Sequence, residues 1–132
     1  MSIAANAALV RRIMEAFADK EGFALRNAFA EDAVWHVPGS SAMAGDYRGR
    51  DEIVTFLRRT AELTGGTHRV ELLWVVADDE HTVAVYRARG HREAGRRLDI
   101  EQALLIELRD RLWARVRAQP LDQTAFDAFW AS

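Results

Sequence analysis

No cysteine occurs in the 132 residues. That excludes disulfides, thiolate nucleophiles and every cysteine-ligated zinc or iron–sulfur centre. The four histidines, at positions 36, 68, 81 and 91, form no close HxH or HxxxH pair, so no metal site is expected. A Walker-type glycine loop, a GxGxxG turn and a GxSxG elbow are also missing, and no cofactor is expected. No apolar run reaches the ~20 residues of a membrane span. The uncharged stretch from Met1 to Val10 is short, alanine-rich and without a basic lead, so neither a secretion signal nor a membrane partner is expected and the chain reads as cytoplasmic. Lysine is nearly absent, with Lys20 alone against seventeen arginines, and the net charge of -2 argues against a nucleic-acid partner. Nine arginines do fall between Arg87 and Arg117, but Glu93, Asp99, Glu101, Glu107 and Asp110 interleave with them.

What is present is globular: 49% hydrophobic and 29% charged residues, enough for one domain over 1–132 with a real core. Leu9, Val10, Ile13, Met14 and Phe17 follow helical spacing, with Arg11, Arg12 and Glu15 on the other side, which predicts an amphipathic first helix. A second short helix is expected over Phe23 to Ala30, and a strand over Ala33 to Val37. Pro38-Gly39 stops that strand and opens a long loop through Gly49. Asp51 is placed to cap a third helix that turns Ile53, Phe56, Leu57 and Leu63 inward, and Gly65-Gly66 supply its left-handed exit.

From Thr67 onward the pattern changes to strands near 68–77, 82–91, 97–108 and 111–119, divided by short turns. Short connections favour antiparallel neighbours, so the expected class is α+β. Pro120 ends the last strand, and Asp122 to Trp130 forms a short terminal helix.

Helices first and a sheet of long strands after them, together with Glu31–Gly39, Ala44–Asp51 and Asp122–Trp130, resemble SnoaL-like proteins of the nuclear transport factor two-like superfamily, which includes ketosteroid isomerase. The resemblance implies a cone: a curved antiparallel sheet wrapped by three N-terminal helices, with an internal pocket and a short C-terminal helix. It also implies a small hydrophobic molecule as partner, and a homodimer through the outer sheet face, where Trp113, Arg115 and Arg117 are placed. Its catalytic positions are occupied differently here. The general-base aspartate of ketosteroid isomerase falls on Val37, its first-helix tyrosine near Ile13 and its protonated acid near Leu104. The last long strand, where SnoaL-type cyclases and limonene epoxide hydrolase keep an aspartate, holds no carboxylate from Leu112 to Gln119.

Three other residues are candidate catalysts. His36 exchanges protons near neutrality. It faces away from the pocket if strand parity is regular, and into it if a bulge lies beside Pro38. Gln102 shares a strand face with Leu98, Ile100, Leu104 and Ile106, so its buried amide needs a partner, in a neighbouring strand or in a ligand. Tyr86, between Ala84 and Ala88, has room to donate a hydrogen bond above the sheet, or simply packs. Met14, Trp35, Val37, Phe56, Trp74 and Leu104 are expected to wall the pocket. Arg87 and Arg89 fall on the opposite face, as a ladder with Asp99 and Glu101. The functions these features suggest are an isomerase, cyclase or hydrolase acting on a polyketide-, steroid- or terpene-like substrate, or a non-catalytic ligand-binding or dimerisation module.

Overall fold

Leu9, Val10 and Met14 recur at helical spacing and are buried along one side of α1 (Ile3–Ala18), while Arg11, Arg12 and Glu15 are exposed. The computed structural model describes residues 3–18 and 22–132. Helix α2 (Gly22–Ala28) includes Gly22 and passes directly into β1 (Phe29–Val37), so the first strand begins at Phe29 rather than Ala33. The loop after Pro38 contains an unforeseen strand, β2 (Gly45–Arg48), which lies antiparallel on β1. Helix α3 (Gly49–Leu63) starts ahead of Asp51, which falls in its first turn. Arg48 is the cap residue, and its N–H donates to Glu52 Oε1 at 3.0 Å. The exit is as expected: Gly65 and Gly66 take φ of 57° and 79°, and the Gly66 N–H donates to the Ala61 carbonyl at 2.8 Å.

Four long strands follow, β3 (Arg69–Ala77), β4 (His81–His91), β5 (Arg97–Arg109) and β6 (Leu112–Pro120), and then α4 (Gln123–Trp130). Asp122 caps α4 by accepting the Ala125 N–H at 3.0 Å. The sheet order is β2-β1-β6-β5-β4-β3. Strands β3 to β6 pair antiparallel in succession, but β1 runs parallel to β6, so the curved sheet is mixed rather than wholly antiparallel. Short turns govern sequential neighbours only, and β1 reaches β6 after the intervening chain has traversed α3 and four strands.

Helix α1 packs against β3 and α3 against β1, both on the inner face. That face carries Thr82, Ala84, Tyr86 and Ala88 from β4 and Leu98, Gln102, Leu104 and Ile106 from β5, all buried. Breaks of register between Leu72 and Trp74 and between Glu107 and Leu108 decide which side chains share it. Trp113 is fully buried, edge-on to Phe29 at 5.8 Å, and so belongs to the core instead of the outer face.

Candidate functional site

Tyr86 and Gln102 are directly opposed on β4 and β5, both side chains inward, and each residue is 6% exposed. Gln102 Nε2 donates to Tyr86 Oη at 2.9 Å. The pair leaves two capacities unused among the described residues: the phenol proton and the amide oxygen. Burial pushes the Tyr86 phenol well above its ordinary value, and the bond from Gln102 opposes that shift only in part. Tyr86 is therefore a neutral hydrogen-bond donor and not a base. A donor bound to its oxygen also polarises the O–H, strengthening the bond it gives to a third group.

The pair faces an inner cavity of about 70 Å³. Trp35 and Val37 of β1, Leu104 of β5, Met14 of α1 and Phe56 of α3 line it as expected from the sequence. Met43, His68, Phe126 and Trp130 line it too, with no sequence pattern to announce them. Tyr47 holds Met43 in place: its hydroxyl donates to the Met43 carbonyl at 2.6 Å, and its ring stacks on Phe56 at 4.3 Å. Phe126 and Trp130, one helical turn apart on α4, close the floor. His68, edge-on to Trp130 at 5.8 Å, stands just ahead of β3. Outside the inner cavity is a larger recess of about 500 Å³, and Phe17, Leu57, Thr60, His68 and Val70 line both. The two chambers thus share these five side chains as a common wall.

Two expected site residues stand elsewhere. The β1–β2 register is unbroken from Val34 to Val37, so no bulge reverses parity beside Pro38 and His36 faces the outer side of the sheet. There its Nδ1 lies 2.6 Å from Asp46 Oδ1, and that bond, with the nearby charges of His36, Arg48 and Arg115, holds the Asp46 carboxyl below its ordinary value. Trp74 is the other. The extra residue Leu73 between the Leu72–Tyr86 and Trp74–Val85 pairs flips the strand's parity, leaving Trp74 49% exposed on the outer face. Arg87 Nε and Arg89 Nε approach Asp99 Oδ1 there at 2.7 and 3.4 Å, the ladder expected from the sequence.

A SnoaL-like domain model matches residues 10–116. The chain belongs to the SnoaL-like family. An uncharacterized protein of Mycobacterium tuberculosis is 39% identical to it over 93% of this chain and 94% of its own. Bal32a, from a soil-derived mobile gene cassette, superposes with a TM-score of 0.92 at 33% identity, covering 97% of this chain and 98% of its own. TerC, co-crystallized with polyporic acid, superposes with a TM-score of 0.81 at 18% identity over 96% and 98% of the two chains. In this SnoaL-like protein, the positions matched to ketosteroid isomerase's acid and base, Leu104 and Val37, line the inner cavity as hydrocarbon, and Ile13 packs against the core. Among the described lining residues of the inner cavity, His68 and Tyr86 are the titratable side chains, and none is a carboxylate. The SnoaL-like cone is therefore retained with a different set of polar groups inside it.

Proposed function

We propose that this SnoaL-like protein binds a small hydrophobic molecule bearing a carbonyl or hydroxyl oxygen, and acts on it as an isomerase- or cyclase-type enzyme of the kind that handles polyketide-, steroid- or terpene-like substrates. The buried Tyr86–Gln102 pair, with its unused donor and acceptor at the wall of an apolar cavity, carries this reading. In the proposed mechanism the substrate oxygen accepts the Tyr86 proton in a hydrogen bond, and charge developing on that oxygen is stabilised in a site that excludes water. His68, in the wall of both chambers, is the group placed to move a proton. The inner cavity, at about 70 Å³, is much smaller than the outer recess of about 500 Å³, so an oxygenated ring edge enters it while the rest of the molecule lies in the outer chamber. TerC's co-crystallization with polyporic acid supports small-molecule binding by this fold.

A thermal-shift screen of ring ketones, phenols and lipophilic acids, followed by mass spectrometry of each binder after incubation, tests the proposal. Binders converted by the wild type, but more slowly by Tyr86→Phe and His68→Gln, support it. Binding with no conversion replaces it with the second reading, a non-catalytic binding module, which the carboxylate-free lining favours. Leu73, Trp74, Val76 and Leu105 are exposed together on the outer sheet face, and we assign them to a homodimer contact.

A further inference from the structure

The outer chamber is lined mostly by apolar side chains, with Arg26, Arg58, Thr60 and His68 among them. On α3 the chamber is lined by Thr60 and by Val54, Leu57, Arg58 and Ala61, the last four an i, i+3, i+4, i+7 stripe in which an arginine takes the place of a hydrophobe. Leu25, Phe17 and Val70 line it as well. The charged side chains that line the chamber among the described residues are Arg26 and Arg58, and no carboxylate accompanies them. Arg26 is committed, with its guanidinium 3.1 Å from Asp51 Oδ1. Arg58 makes no ion pair or hydrogen bond among the described residues. Leu57, Thr60 and His68 belong to the wall this chamber shares with the inner cavity, whose lining holds the Tyr86–Gln102 pair.

A neutral hydrophobe would leave Arg58 unused, and a simple anion would leave the apolar walls unused. We infer that the ligand of this site is an amphipathic carboxylate: a flat hydrocarbon body whose oxygenated edge meets Tyr86 and Gln102 in the inner chamber and whose carboxylate is held by Arg58 at the mouth. This rests on the reading of the cavity as the ligand site and adds the ligand's charge and polarity. A carboxylate against a planar guanidinium forms two parallel N–H to O bonds, which an amide or ester does not reproduce.

Two rod-shaped probes separate the cases, 6-hydroxy-2-naphthoate and 6-hydroxy-2-naphthamide, titrated calorimetrically against the wild type, Arg58→Gln and, as a control at an exposed arginine outside both chambers, Arg12→Gln. The wild type and Arg12→Gln are expected to prefer the carboxylate by about tenfold. In Arg58→Gln that preference disappears while amide binding is unchanged, and added salt erodes it in the wild type. Equal binding of the two probes by the wild type, or a preference that survives in Arg58→Gln, overturns the carboxylate assignment and leaves the cavity reading standing. Saturable binding of neither probe overturns both.

Discussion

At the scale of single residues, the Tyr86 hydroxyl holds two roles, which a pair of measurements separates. Tyr86→Phe deletes the acceptor of the Gln102 amide and leaves a buried donor unpaired, an expected destabilisation of about 1–3 kcal/mol in urea unfolding. Adding Gln102→Leu removes the orphan, so the double variant regains part of the loss, and simple additivity would contradict the pairing. His36 was a candidate catalyst on the strength of its chemistry. It stands outside the cavity, so His36→Gln is expected to leave ligand binding unchanged. Its partner gives a pH test. Asp46 has a carboxyl pKa below the ordinary 3.8, so its contribution to stability is complete above that value and is lost as pH falls through the folded-state value. The denaturation midpoints of the wild type and Asp46→Asn should differ above the ordinary carboxyl value of 3.8 and converge as pH falls through the lower folded-state value; a gap that widens in acid would reverse the assigned sign.

At the scale of elements, α4 closes the cavity with Phe126 and Trp130, and two arginines fasten its end. Arg92 Nη1 donates to the Phe129 and Ala131 carbonyls at 2.7 and 2.9 Å, and Arg96 Nη1 reaches the Ala131 carbonyl at 2.6 Å. The Arg92 side chain is only 6% exposed, so these are well-shielded charge-assisted bonds at the helix C-terminus. Arg92→Ala is expected to destabilise the protein by about 2–3 kcal/mol and to raise amide hydrogen exchange in α4 above that of β5. Exchange raised equally everywhere would show that α4 is not a separately fastened element.

Most elements were legible in the sequence because their causes are local. The stripe Leu9–Phe17 gave α1, Gly65-Gly66 the exit of α3, and Pro120 the end of β6. What was missed has non-local causes. Strand β2 is four residues whose only ladder is with β1, and Gly45 and Asp46 carry no alternation to announce it. The bulge at Leu73, which turns Trp74 out, is visible only against the partner strand, because Arg69 to Ala77 is apolar on both faces past Leu72. His68 reads as the first residue of a strand, and its place in the wall of both chambers follows from β3 starting one residue later.

At the scale of the whole molecule, the sheet separates two surfaces. The inner one holds the apolar chambers and the Tyr86–Gln102 pair. The outer one divides into a charged ladder around Asp99 and an apolar patch of Leu73, Trp74, Val76 and Leu105. If that patch is the homodimer contact, Trp74→Arg yields monomers in analytical ultracentrifugation while ligand affinity in the cavity is retained. Unchanged sedimentation would remove this face from the interface. The family resemblance made the cone legible but not its contents, because the positions where relatives keep acids carry Val37 and Leu104 here, and the polar pair that replaces them is assembled across two strands.

The central claim is that this pair receives a ligand oxygen inside an apolar cavity. Tryptophan fluorescence, with Trp35 and Trp130 in the cavity wall as reporters, measures it directly through titration of 2-naphthol against wild type and Tyr86→Phe. The account predicts saturable quenching by 2-naphthol and an affinity reduced about tenfold in Tyr86→Phe, the loss of one buried hydrogen bond. Equal affinity in the two proteins, or no saturable binding to the wild type, would contradict it.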